Sequence, residues 1–136
     1  MPHHYFTVVD PPSLGKPGGF SHGLLAPPGS RLLFVAGQTA AAAEGHVLHR
    51  DFTTQFDEAL SRVLTVVESA GGMPAHVARM TVFVTDLDEY LASRRALGEI
   101  WKRRMGEHYP AMALVQVTRL VDEGAMVEIE ATAAIP

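Results

Sequence analysis

Two stretches near the end of the chain alternate apolar and polar residues with period two: Leu114, Gln116 and Thr118 against Val115 and Val117, then Val127, Ile129 and Ala131 against Glu128, Glu130 and Thr132. That period, with a turn at Asp122 to Gly124 between them, predicts two paired strands. Glu128 and Glu130 then stand about 7 Å apart on one face. Upstream, Phe52, Phe56, Ala59, Leu60, Val63, Leu64 and Val67 recur at steps of three and four, an amphipathic helix that Asp51 caps and Gly71 closes. Its Gln55, Asp57, Glu58 and Arg62 are read as solvated. Ala75 to Thr85 reads as a strand, and Asp86 or Asp88 caps a second helix running to about Met105 and stopped by Gly106. Tyr90, Leu97, Trp101 and Met105 form its stripe, and Arg94 completes it. A guanidinium there calls for an acidic partner or an anionic ligand; a position snorkelling past the stripe is the plainer alternative.

Tyr5 to Val9 predicts a short first strand. The continuous apolar run in Arg31 to Ala36 predicts a strand buried on both faces, ended by Gly37, Gln38 and Thr39. Gly37 and Gln38 fit either a strand-end turn or a site where backbone and ligand approach closely. Gly45 to Arg50 (GHVLHR) reads as a short strand or an extended piece. The order strands, helix, strand, helix, strand, strand predicts an α+β fold with two helices on one face of a single mixed sheet. The other face, carrying Glu128, Glu130, Gln116 and Thr118, is too polar for a core.

Length sets the scale: 136 residues suit a single domain over 1–136 that buries about two-thirds of its unfolded surface. A formal charge of −4 argues against nucleic acid or an anionic membrane as the main partner and leaves small metabolites. With no cysteine there is no disulfide, thiolate nucleophile or Cys-based metal site. His46 and His49, three apart, suit a metal only on a helix, against which Gly45 argues, so they read as surface histidines, and the others, the adjacent His3 and His4 included, form no better set. Gly18 and Gly19 open no helix, which excludes a phosphate-binding loop. The N-terminus lacks a secretory signal and no apolar run reaches the ~18 residues of a membrane span, so the expectation is a soluble cytoplasmic protein.

Six segments in order carry a family resemblance: FVAGQ (34–38), ESAGG (68–72), TVFVTDLDEY (81–90), YPA (109–111), VQVTRL (115–120) and VEIEATA (127–133). Together they resemble the Rid/YjgF family from about Phe20 onward. The resemblance implies a chorismate-mutase-like fold, a homotrimer with ligand clefts between subunits, and hydrolysis of reactive imines and enamines such as 2-aminoacrylate without a bound cofactor. It assigns Glu128 as the catalytic carboxylate that handles water and proton. It places Phe20, Ala36, Gly37, Gln38, Arg94 and Met112 at the substrate. Four of these depart from the family pattern: Met112 stands where an Arg binds the substrate carboxylate, Arg94 where an Asn lines the cleft, and Phe20 and Ala36 where hydroxylated residues are usual. A two-pronged Arg contact with a carboxylate accounts for on the order of one hundredfold in affinity. The departures therefore imply weak or no activity on 2-aminoacrylate, another imine as substrate, and Arg94 as the replacement cation. The alternative is a non-catalytic trimer that binds a small apolar or amphipathic metabolite.

Overall fold

The computed structural model describes residues 4–136, so His3 lies outside the described residues. Among the described residues, six strands and three α-helices define the fold: β1 (Thr7–Val9), β2 (Gly23–Leu25), β3 (Arg31–Gln38), α1 (Phe52–Ser69), β4 (Val77–Val84), α2 (Leu87–Ala92), α3 (Arg94–Met105), β5 (Ala111–Gln116) and β6 (Val127–Ile135). The main sheet is mixed, with order β3-β6-β4-β5; β6 runs antiparallel to both β3 and β4, and β4 runs parallel to β5. The small β1–β2 pair stands apart.

The expected pairing of the last two strands is corrected: β4 lies between β5 and β6. Alternation identifies a strand but not its neighbour. β6, with Val127, Ile129, Ala131, Ala133 and Ile135 all buried, is a central strand. The α2–α3 segment supplies the long crossover that parallel β4 and β5 require.

The helices cover one sheet face. On α1 all seven predicted apolar positions are buried, the Asp51 carboxylate accepts from the Thr54 N–H at 3.1 Å, and Gly71 takes a positive φ of 85° past the helix end. They pack against Met80, Val82, Val84 and the odd-numbered residues of β6. The second helix breaks at Ser93 (φ −98°, ψ 0°) into α2 and α3. Leu97, Trp101 and Met105 are buried as expected, joined by Ile100, whereas Arg94 is exposed.

Three polar residues read as solvated are structural. Gln55 is fully buried and bridges three backbone groups. Asp57 accepts from Arg104 at 2.8 Å and Arg103 at 3.0 Å, joining α1 to α3 and holding its carboxyl below the usual range. Arg62 donates to the Thr39 and Ala41 carbonyls at 2.8 and 2.6 Å, anchoring the chain that leaves β3.

β3 is buried on one face only. Val35 is inside, while Leu32 and Phe34 are 64% and 75% exposed, because no helix layer covers the even-numbered side. Gln116 is also corrected: it pairs with Val84 on the helix face and its Oε1 accepts from the Leu87 N–H at 2.8 Å, capping α2. Thr118 lies beyond β5. The open face therefore carries Glu128 and Glu130 with Phe34, Phe83 and Val115. Among the described residues, no helix is long and apolar enough to cross a membrane and no three His, Asp or Glu side chains gather as a metal site.

Candidate functional site

The expected site residues fall into three places. Glu128, Ala36 and Gly37 meet on the open face where β3 and β6 pair, whereas Gln38, at the end of the same strand, is paired with Ile129 of the buried set. The register there skips between Val35, opposite Ala131, and Gln38, opposite Ile129, so Ala36 and Gly37 form a bulge beside β6. The bulge re-aims the edge of β3, and the Glu128 side chain fills the space over Gly37. A Cβ built on Gly37 would lie 2.5 Å from Glu128 Oε1 and 2.9 Å from its Cδ, so only glycine leaves room for the carboxyl where it stands. The Gln38 amide donates to the Ala36 carbonyl at 3.2 Å, closing the bulge.

Two anchors hold this corner. Thr39 Oγ1 donates to Asp122 Oδ2 at 2.6 Å, and the Arg62 clamp fixes the carbonyls on either side of Ala40. In the sequence Asp122 reads only as a turn residue, because its link to Thr39 joins positions 83 apart. Burial pushes the Glu128 carboxyl above its ordinary value, and the charges of Asp122 and Glu130 push the same way. A half-buried carboxyl poised to hold a proton is the condition of a general acid/base.

Gly37→Ala is expected to swing the Glu128 carboxyl out, since the conflicting atoms are the far end of a flexible side chain. Its pKa then falls back toward that of an ordinary glutamate, with stability changed by less than about 1 kcal/mol. Carboxyl-carbon NMR titration of Glu128 in the two proteins reads this directly; unchanged titration would show that the glycine does not position the group.

Arg94 and Met112 meet elsewhere, on the helix side of the sheet. They line a cavity of about 300 Å³ between α2, α3 and β5, together with Tyr90, Leu97, Trp101 and Leu114. Met112 and Leu114 reach it because they share the face of Met80 and Val82, their partners across the β4–β5 pair. The Trp101 ring stacks on Tyr109 (centroids 6.1 Å apart, planes 7° apart) and is fixed by its Nε1–H, which donates to the His108 carbonyl at 3.1 Å. Among the described residues Arg94 forms no ion pair; its Nε donates to the Leu91 carbonyl at 3.3 Å. Of the alternatives for this position, the exposed side chain fits an Arg that snorkels past the apolar stripe, and no acidic partner meets it among the described residues. Gly98, one turn beyond Arg94, also lines this cavity; a glycine inside a helix at that spacing is the signal that sequence reading passed over.

Phe20 stands apart from both groups. It lines a separate cavity under the β1–β2 pair with Tyr5, Phe6 and His108, and its ring meets His22 edge-on at 5.2 Å. Within one copy of the chain, therefore, Glu128 and the Arg94 cavity occupy opposite faces of the sheet.

Comparison with known proteins places this geometry among relatives. The family described as Endoribonuclease L-PSP matches residues 15–135. The chain is 31% identical over 105 residues, 75% of this chain and 78% of that protein, to TdcF of Escherichia coli, which is named as a reactive intermediate deaminase. Among solved structures, a Rid-family protein of Yersinia pestis, YyfB, superposes with a TM-score of 0.81 at 30% identity, covering 96% of this chain and 99% of that one. E. coli TdcF with bound serine superposes with a TM-score of 0.67 at 28% identity, covering 90% of this chain and 92% of that one.

Proposed function

The chain belongs to the Rid family, also called YjgF or Endoribonuclease L-PSP, and on that premise we propose that it hydrolyses 2-imino acids, releasing ammonia and the 2-oxo acid. The observation that carries this reading is the Glu128 carboxyl, held over Gly37 with a raised pKa. In its protonated form it donates to the imine nitrogen; as carboxylate it takes a proton from the attacking water. Water adds to the C=N carbon, the carbinolamine loses ammonia, and a C=O bond replaces C=N, with no oxidation or reduction.

The naming of TdcF as a reactive intermediate deaminase and its binding of serine support an amino-acid-like substrate for this chain. With Met112 at the usual Arg position 2-aminoacrylate is turned over weakly, and Arg94 is the cation that takes the carboxylate of the preferred substrate. Because Arg94 and Glu128 lie on opposite faces, the complete site requires a second copy, in a homotrimer whose clefts bring one copy's Glu128 to its neighbour's Arg94 cavity. Exposed Phe34 and Leu32, farther along the same open face as Glu128, are the surface such an assembly would cover. An RNA-cleaving reading of the family's description is disfavoured, since Glu128, Asp122 and Glu130 together repel a phosphodiester.

The test generates imines in situ from several L-amino acids with an amino-acid oxidase and follows loss of the imine with and without the protein, alongside light scattering. Accelerated hydrolysis by a particle of trimer mass is expected. Rates equal to the buffer control for every imine, or a monomer mass, would overturn the reading.

A further inference from the structure

Building on the hydrolase reading, we propose that the Arg94 cavity selects acids with a bulky apolar substituent, aromatic or branched, over short-chain acids. Its volume of about 300 Å³ lies at the lower end of small-ligand pockets, enough for a ring or a branched chain beyond the carboxylate. The walls are apolar on three sides: Leu97 and Trp101 from α3, Phe56 from α1, and Met112 with Leu114 from β5. The Trp101–Tyr109 stack gives a flat wall that is already held in place, so a planar ring meets it without ordering the protein first. Met112 adds an unbranched thioether that adapts its shape to what it touches.

The polar end has one place to go. The terminal guanidinium nitrogens of Arg94 carry no hydrogen bond among the described residues, and its side chain stands exposed on the cavity lining. A carboxylate there forms a charge-assisted contact while its substituent enters the apolar space. Gly98 keeps that space open: a Cβ at this position meets nothing within 4 Å, although the backbone is ordinary helix in which any side chain is accommodated. A short acid bound to Arg94 would leave these walls untouched.

Calorimetric titration of the intact protein with 3-phenylpropanoate and with propanoate tests this. The phenyl acid is expected to bind about tenfold or more tightly, the gain from burying one large apolar group. Gly98→Leu, which projects into the cavity, is expected to erase most of that preference. Met112→Phe narrows the same space from the sheet side and should act alike, and Arg94→Gln should weaken the phenyl acid about tenfold or more. Thermal melts of each variant report whether it is folded. Equal affinities for the two acids, no binding of either, or a folded Gly98→Leu protein that keeps the preference would overturn the inference. The hydrolase reading fails separately: selective acid binding with no imine hydrolysis overturns that reading alone, and hydrolysis indifferent to substituent size overturns this inference alone.

Discussion

Replacing Glu128 with glutamine is expected to lower kcat/KM for imine hydrolysis about 10²–10⁴-fold, the usual contribution of a positioned proton-transfer group. Glutamine keeps the shape over Gly37 and the amide can still donate a hydrogen bond, but it neither gives up nor accepts a proton in the reaction. The same substitution has a signed effect on stability. Burial, then Asp122 and Glu130, raise the pKa of the folded carboxyl above its unfolded value. The folded protein therefore holds the proton more tightly, and the associated stability is present at low pH and lost as pH rises from the ordinary glutamate range through the raised value. Above that window the parent carries an unfavourable charge that glutamine lacks. Glu128→Gln should accordingly melt higher than the parent at neutral pH, with the gap closing in acid. Pairing lost activity with raised neutral stability is the pattern of a functional group held in an unfavourable setting. Retained activity, or a variant less stable at neutral pH, would contradict it.

The largest stability effect is expected at Gln55. Its amide donates to the His49 carbonyl at 2.7 Å and the Gly124 carbonyl at 3.1 Å, and its Oε1 accepts from the Met126 N–H at 2.8 Å. One fully buried side chain thus ties α1 to the segment before it and to the turn that leads into β6. Gln55→Leu fills similar volume but leaves these backbone groups without partners, each at about 1–3 kcal/mol unless water enters. A loss of about 3 kcal/mol or more in urea unfolding is expected, with a melting temperature lower by about 10 °C. A loss below about 1 kcal/mol would mean that the freed groups find water. Because Met126 is two residues from Glu128, the variant should also impair hydrolysis under conditions where it remains folded.

The two predictions concern residues that differ in how far sequence reveals them. Glu128 stands out by its motif, and its strand by alternation. Gln55 does not stand out, because a polar residue beside Phe56 looks the same whether water or three backbone groups receive it. Asp57 and Arg62 share that ambiguity: their partners, Arg103, Arg104 and the carbonyls around Ala40, lie far along the chain or on the main chain.

Since periodicity and motif order are local properties of the chain, the sequence by itself determined most of the strands of the main sheet, the capped α1 with its buried stripe, the α+β class and the family, but neither β2 nor the break at Ser93. Only the tertiary structure decided that β4 separates β5 from β6, that β3 is covered on one face, and that Gln116 serves α2 rather than the open sheet. It also decided that Arg94 and Met112 share a cavity while Glu128 sits behind the sheet over Gly37. Strand partners, bulges and the meeting of distant side chains are set by pairing energies across the whole fold, and alternation along one strand carries no record of which strand lies beside it.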